Sequence, residues 1–469
     1  MKDYNTISRI YFIGIGGIGM SALARYFLHK NVIVSGYDKT STPLTQQMES
    51  EGISIHYEDD VSLLDKDADV VVYTPAIPSD HKELNYYKDN HYELAKRSDV
   101  LQQITKSTYN ICVAGTHGKT TVSTMIAHIL RDSGFGCNAF LGGISVNYET
   151  NFWSSDNNVS VVEADEYDRS FLKLSPNIAL ITAMDADHLD IYGTKEKMEE
   201  AFVEFANQLN PDGLLLTRYG LPQKYFIVSM HLRYSLQNDA ADAYACNIIM
   251  KDGGYEFDIK NGVTEITNIK LNMGGMHNVE NAIAAIVVAD YLKVGPQRIK
   301  DAVESFKGVK RRFEYIISPE EARKQRNNVV FIDDYAHHPQ ELSALIKGAK
   351  SLFSNRKCTV IFQPHLFSRT KDFAKEFAES LDTADRILLL PIYPAREKPV
   401  EGVTSELILK EMKNENAAII SKEGLLEYVG NDYLKSVAES SFGELLITAG
   451  AGDIDKLVQP IKEILESTF

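Results

Sequence analysis

Asn110-Ile111-Cys112-Val113-Ala114-Gly115-Thr116-His117-Gly118-Lys119-Thr120-Thr121 is the stretch on which the reading of this chain turns. Its apolar beginning, residues 111–114, reads as a buried strand. The two glycines make a turn, and residues 122–130 then repeat apolar side chains at helical spacing. Strand, Gly-rich turn, Lys-Thr and helix together form a phosphate cradle. N–H groups of the turn and of the helix start face an anion, the Lys reaches the outer phosphates, and the hydroxyl after it can hold Mg2+. The residues expected to contact a nucleoside triphosphate such as ATP are therefore Gly115, Thr116, His117, Gly118, Lys119, Thr120 and Thr121. The usual loop spaces its glycines more widely; here only Thr116 and His117 separate Gly115 from Gly118.

Outside this stretch, a chain of 469 residues has room for roughly three domains. Apolar residues make up 44%, enough for each domain to bury a core. The formal net charge is -16, with Lys and Arg dispersed, which argues against nucleic acid as the main partner. The four cysteines, Cys112, Cys137, Cys246 and Cys358, are far apart and form no Cys-x-x-Cys pair. Neither a zinc site nor a disulfide framework is expected, and a reducing, cytoplasmic location follows. Met1-Lys2-Asp3-Tyr4 runs straight toward a strand with no secretory apolar core, and no run approaches the ~18 apolar residues of a membrane span. Membrane insertion is not expected.

Three segments follow from the periodicity. Residues 1–105 alternate strands (9–13, 32–36, 69–74) with a helix over 20–29, which implies a parallel, Rossmann-type sheet. Lys106-Ser107-Thr108 reads as a linker. Residues 106–310 carry strands at 111–114, 159–163 and 178–182 and an Ala/Ile/Val-rich helix over 279–292. Between 214 and 271, turns such as Asp252-Gly253-Gly254 and Asn261-Gly262 predict hairpins packed beside the main sheet. Residues 311–469 carry strands at 329–333, 358–362, 386–391, 417–421 and 444–449 with helices between most of them, a second Rossmann-like unit. The fold class is α/β throughout.

Five further groups of residues carry chemistry. Gly14, Gly16, Gly17 and Gly19 follow the first strand, with Asp38 about 20 residues on, the dinucleotide fingerprint. It fits NAD or another pyrophosphate ligand such as a UDP-sugar, and a packing role for the glycines is the plainer alternative. Val161-Val162-Glu163-Ala164-Asp165-Glu166-Tyr167-Asp168 crowds four carboxylates at a strand tip, where Glu163 suits a hard cation. Asp185-Ala186-Asp187-His188 follows another strand, and His188 reads as a metal ligand or proton carrier. Asn278 and Asn281 lie three apart at a helix start, fit either to cap it or to read a base. In the last segment, Arg311-Arg312-Phe313-Glu314, Asp333–Pro339 and Pro364–Arg369 place Arg, His and Tyr near strand ends, where open sheets bind ligands.

Taken together these motifs resemble the Mur ligases of bacterial cell-wall synthesis. The similarity runs along nearly the whole chain, through Gly14–Gly19, Gly115–Thr121, Glu163–Phe171, Asp187-His188, His277–Asn281, Arg312, Asp333–Pro339, His365–Arg369 and Ile392–Glu397. His337-His338 and Gln363-Pro364-His365 point to the alanine-adding branch. The resemblance implies three domains: a UDP-sugar domain, a central ATPase and a C-terminal domain for the amino acid. It implies that Gly14, Gly16, Gly17, Gly19, Asp38, His117 and Ser170 serve UDP-N-acetylmuramate. Lys119 and Thr120 would bind the ATP phosphates and Mg2+, with Glu163 and His188 as further metal ligands. Asn278 and Asn281 would meet adenine, Arg312 the γ-phosphate, and Asp333 or Asp334 the ribose. Tyr335, His365 and Arg369 would surround L-alanine. Lys119, Glu163, His188 and Arg312 then form the catalytic set. Two departures stand out: Leu366 where many members carry Arg, and Tyr167 where many carry Ser. A related recycling ligase that joins a tripeptide to the same sugar nucleotide often has Tyr there, and it is the second reading.

The implied reaction has the lactyl carboxylate attack ATP to give an acyl phosphate, which the amine of alanine then displaces. Domain closure and a monomer or weak homodimer are expected. An NAD-dependent dehydrogenase accounts for the first motif only, and a nucleotide switch protein for the phosphate loop only.

Overall fold

The protein is seen here as a computed structural model that describes residues 4, 6–74, 76–167, 169–185, 189–222, 226–262, 264–325, 328–395 and 397–467. Asp168, Asp187, His188 and Arg396 thus lie outside the described residues. Within these, three sheets organise the chain, the cores of a three-domain α/β fold.

The first sheet contains β1 (Arg9–Ile13), β2 (Ile33–Tyr37), β3 (Ser54–His56), β4 (Val70–Tyr73) and β5 (Leu94–Lys96). Its order is β3-β2-β1-β4-β5, parallel throughout. That is the Rossmann order, and it puts the turn after β1 at the crevice where the order reverses. The helix Ile18–His29 follows that turn and buries Met20, Leu23 and Phe27.

The second sheet contains β6 (Tyr109–Ala114), β7 (Asn138–Ser145), β8 (Thr150–Trp153), β9 (Val159–Glu163), β10 (Ile178–Ile181), β11 (Leu214–Arg218), β12 (Met230–Ser235), β13 (Ala243–Lys251), β14 (Gly254–Asn261) and β15 (Thr264–Leu271). Its order is β15-β14-β13-β12-β11-β10-β6-β9-β7-β8. The expectation of hairpins packed beside the main sheet is corrected on two points. β11 and β12 pair in parallel with their neighbours, and β13–β15 extend the same sheet at its edge. The turn residues identified the reversals; they carry no information on which edge the strands join. The helix Met276–Tyr291 is buried on nearly all sides over residues 279–289, which explains its lack of a polar face.

The third sheet contains β16 (Glu314–Ile317), β17 (Val329–Asp334), β18 (Lys357–Phe362), β19 (Arg386–Leu389), β20 (Ala417–Ile419) and β21 (Glu444–Ala449), in the order β16-β17-β21-β18-β19-β20. β16 pairs antiparallel with β17, unlike the other described strands of this sheet, and was not expected.

The chain forms two compact units: 1–246 with 259–267 and 280–303, and 247–258 with 268–279 and 304–469. In the first, the N-terminal and central sheets share one apolar cluster that runs from Phe12 and Phe27 to Phe140, Phe152 and Val162. Tyr26 lies 5.5 Å from Phe140 and 6.1 Å from Phe152, ring to ring. Beside them Arg25 donates to Asn151 Oδ1 at 2.6 Å and pairs with Glu51. The second unit holds the third sheet around its own core.

Candidate functional site

In the first unit, β6 delivers the phosphate loop and β9 delivers the acids to the same sheet edge. The two strands are parallel, with Val113 level with Glu163, so Glu163 stands beside the start of the loop. Gly115 has φ +135°, and a Cβ there would fall 2.2 Å from Thr182 Oγ1, so only glycine fits. Thr182 stands just beyond β10 and donates to the carbonyls of Ala114 and His117. The backbone N–H of Asp185 donates to Thr116 Oγ1 at 3.1 Å. The loop is therefore shaped by the neighbouring strand end. Gly118 is the left-handed residue before the helix Lys119–Asp132, and Asn281 Oδ1 lies 3.0 Å from where its Cβ would be. Asn281 thus reaches the loop. In the second unit, Asn278 is buried and donates its side-chain N–H to Gly274 O at 2.7 Å.

Lys119 Nζ donates to Gly115 O and to Glu166 Oε1, both at 2.7 Å. Burial pushes the Glu166 carboxyl upward, and the adjoining ammonium opposes that shift. Glu163 Oε2 accepts the N–H of Gly142 at 3.1 Å. His117 is exposed, 3.9 Å from Asp185.

A cavity of 270 Å3 lies against these acids, lined among others by Gly17, Gly19, Arg97, Gly142, Glu163 and Asp165. The glycine turn after β1 forms one wall. Gly14 N and Ile15 N donate to Tyr37 O, and Gly16 N donates to Asp38 Oδ2 at 2.7 Å. Asp38 therefore holds the turn itself. Ser170 donates to Asp165 O. Arg97 was not expected here: it starts the helix Arg97–Lys106, packs across Gly19 and sits 3.7 Å from Asp165. Its place beside the turn depends on β4–β5 pairing, which no local motif reveals.

Thr120 and Glu163 offer hydroxyl and carboxylate oxygens, the donor type that Mg2+ prefers. Among the described residues no three His, Cys, Asp or Glu side chains converge on one point. Phosphate and water oxygens would fill the rest of a magnesium shell, which agrees with the habit of that ion.

In the second unit, the strand ends of the third sheet gather the remaining residues. Arg311 and Phe313 both have positive φ, 61° and 49°. The guanidinium of Arg311 is spent on structure: it pairs with Asp333 at 3.2 Å, donates to Gly450 O and lies 5.2 Å from the Tyr335 ring centre. Arg312 points outward and is exposed. Asp333 is buried, and Thr448 also donates to it at 2.6 Å. Asp334 accepts the N–H groups of Phe313 and Ala336, yet burial pushes its carboxyl up to about 6. Both carboxylates named for the ribose thus have partners within this unit.

Tyr335 follows β17 and is 46% exposed. The His337 ring lies 5.1 Å from Tyr335 and 6.0 Å from His365, and His365 stacks on Tyr393 at 5.9 Å. Burial lowers the pKa of both histidines and the nearby Arg369 lowers them further, while Glu341 opposes the shift at His337 and Glu397 at His365. His365 Nδ1 is buried with no hydrogen-bond partner among the described residues. Among the described residues, the hydrogen bond of Arg369 Nη1 is a 3.5 Å contact to His337 O. Leu366 has φ 70°, ψ 136°, a strained pose for a residue with a side chain, held by its N–H to Tyr393 O. Tyr335, His337, His365, Arg369 and Tyr393 thus form one cluster beyond the strand ends, in which His337 and Tyr393 were not singled out as site residues.

Known proteins resemble this chain in sequence and in fold. Family models described as "Mur ligase family, catalytic domain", "Mur ligase middle domain" and "Mur ligase, glutamate ligase domain" match residues 9–109, 113–289 and 311–452. A UDP-N-acetylmuramate–L-alanine ligase of Cytophaga hutchinsonii is 46% identical over 475 aligned positions, covering 99% of this chain and 98% of that protein. The crystal structure of a UDP-N-acetylmuramate–alanine ligase from Thermotoga maritima superposes with a TM-score of 0.81 at 28% identity, covering 98% of this chain and 100% of the other. A murein peptide ligase of Psychrobacter arcticus shares the fold at 22% identity, with a TM-score of 0.64 and coverage of 98% and 99%. With relatives of this identity along its full length, and with a phosphate loop, an acid-tipped strand and a glycine turn in one unit, the chain belongs to the Mur ligase family.

Proposed function

We propose that this chain is an ATP-dependent ligase that joins L-alanine to the lactyl carboxylate of UDP-N-acetylmuramate, releasing ADP and phosphate. The observation that carries the reading is the parallel register that sets Glu163 beside the phosphate loop, with the glycine-turn cavity against it. The names carried by full-length relatives support the choice of alanine. Residues 1–105 would hold the sugar nucleotide, 106–310 ATP and 311–469 the amino acid. We place the protein in the cytoplasm; among the described residues no helix is long and apolar enough to cross a membrane.

The chemical difficulty is that a carboxylate must attack a polyanion. The lactyl carboxylate takes the γ-phosphoryl group, ADP leaves, and an acyl phosphate results. Lys119 and Arg312 offset the charge that gathers in this step. Thr120, Glu163 and His188 would hold Mg2+, which supplies further charge neutralisation when bound. The neutral amine of alanine then attacks the acyl carbon, a proton is lost, and phosphate departs with the C–O bond. Arg369 suits the alanine carboxylate, and the stacked His365 and Tyr393 suit a wall beside its small side chain. His188 or His365 could accept the amine proton.

Phosphate release with ATP, Mg2+ and UDP-N-acetylmuramate is the test, with L-alanine or the tripeptide added in turn. Stimulation by alanine is expected. Stimulation by the tripeptide alone would establish the recycling ligase instead, and no response to either would end the ligase reading.

A further inference from the structure

Lys119 is the cation of the phosphate loop, and in this structure two acceptors hold it that are not phosphates. Its Nζ lies 2.7 Å from Glu166 Oε1 and 2.7 Å from Gly115 O. The Glu166 side chain is 1% exposed and that of Lys119 15%, so the pair is shielded from water. Ion pairs in such surroundings are costly to break from one side, because the abandoned charge stays buried.

The backbone around Glu166 is pinned. Its carbonyl accepts the N–H of Arg169 at 3.0 Å and the hydroxyl of Tyr192 at 2.6 Å. The carbonyl of Asp165, one residue before, accepts Phe171 N–H and Ser170 Oγ–H, each at 3.1 Å. Tyr192 is itself buried, with the Arg169 guanidinium 5.6 Å from its ring centre. Glu166 therefore cannot follow the lysine outward with its whole loop. A phosphate seated on the loop must draw the ammonium away from a fixed carboxylate.

We propose that Glu166 is a positioning residue that parks Lys119 in a resting pose and competes with nucleotide phosphates for its ammonium. The proposal rests on the reading of Lys119 as the phosphate-binding lysine. Glu166 sits three residues beyond Glu163, on the same strand-tip loop, so the acid cluster divides its labour: Glu163 and Asp165 line the cavity and Glu166 restrains the loop cation. A ligand that needs the freed lysine binds with an affinity scaled by the freed fraction, so removal of the competitor tightens it. A buried residue with only a structural role would have the opposite effect when replaced.

The test is calorimetric titration of the full chain with ADP, with Mg2+ present and again with EDTA, at fixed ionic strength. Glu166→Gln keeps the shape and removes the charge; its ADP Kd should fall by about fivefold or more in both conditions. Glu166→Asp, one methylene shorter, should give a smaller tightening in the same direction and serves if the Gln variant does not fold. In a Lys119→Ala background the Gln substitution should change the ADP Kd by less than about twofold. Unchanged or weaker ADP binding by a folded Glu166 variant overturns the proposal. Weakening confined to the Mg2+ condition overturns it too, by making Glu166 a metal-side group. If Lys119→Ala alone leaves the ADP Kd unchanged, the phosphate-loop reading itself fails, a result distinct from failure at Glu166.

Discussion

The carboxylate of Glu163 ends on the backbone of Gly142. The Gly142 N–H donates to Oε2 at 3.1 Å, and a Cβ on Gly142 would stand 2.2 Å from Oε1. β7 and β9 are neighbours, so this contact is made by the sheet and not by local sequence. A methyl group at 142 evicts the carboxylate while leaving the strands paired. Gly142→Ala should reduce kcat/KM for ligation by at least about tenfold, since a displaced catalytic group loses its geometry. It should also raise the Mg2+ concentration needed for half-maximal phosphate release. A magnesium titration that overlays that of the unaltered protein would remove Glu163 from the metal site.

Lys119→Ala should abolish ATP-dependent ligation, and binding of UDP-N-acetylmuramate, measured by calorimetry, should stay within about twofold. The sugar nucleotide is expected on the glycine turn and its cavity, which Lys119 does not line. Normal turnover would sink the assignment of the loop.

Among the described residues Arg369 is loosely held, by a 3.5 Å contact to His337 O, and its guanidinium suits a small carboxylate. Arg369→Ala should raise the KM for L-alanine by more than about tenfold and the KM for ATP by far less. Equal changes in the two constants would take Arg369 out of the amino-acid site.

His128 bears on stability. It is buried, with Nε2 2.8 Å from Ala302 O and Nδ1 2.9 Å from Tyr148 Oη, so the ring donates on one side and accepts on the other. Burial lowers its pKa; Arg131 lowers it further, while Asp132 opposes. A histidine whose pKa is depressed on folding binds its proton more readily unfolded. Its contribution is present above the unfolded pKa of about 6.5 and is lost as pH falls through the folded value. His128→Gln should lower Tm at pH 8 and narrow the fall in Tm between pH 8 and pH 5. Melts that drop in parallel for both proteins would show that His128 does not carry this dependence.

Much of the site was legible because its parts are local. Gly115–Thr121 and Gly14–Gly19 each combine a strand, a turn and a helix start within a short stretch, and the backbone conformations they need are ones that few other residues adopt. Acids at the tip of β9 and aromatic and basic residues beyond β17 and β18 were legible for a similar reason: an apolar run that stops at charged residues marks a strand end. What escaped were partnerships across long separations. Asp38, named with the glycines for the sugar nucleotide, also holds Gly16 N, a contact the spacing alone did not show. Arg311 and Arg312 are alike in sequence, yet one is tied to Asp333 and Gly450 and the other is exposed.

By itself, then, the sequence determined the α/β class, the phosphate loop and the candidate residues, because strand periodicity and turn chemistry are written in neighbouring positions. Only the tertiary structure decided that β9 lies beside β6, that β13–β15 extend the central sheet, that Gly142 seats Glu163 and that Glu166 holds Lys119. Strand order in a parallel sheet is chosen by the packing of crossover helices and apolar faces over the whole domain, and no local pattern of residues encodes it.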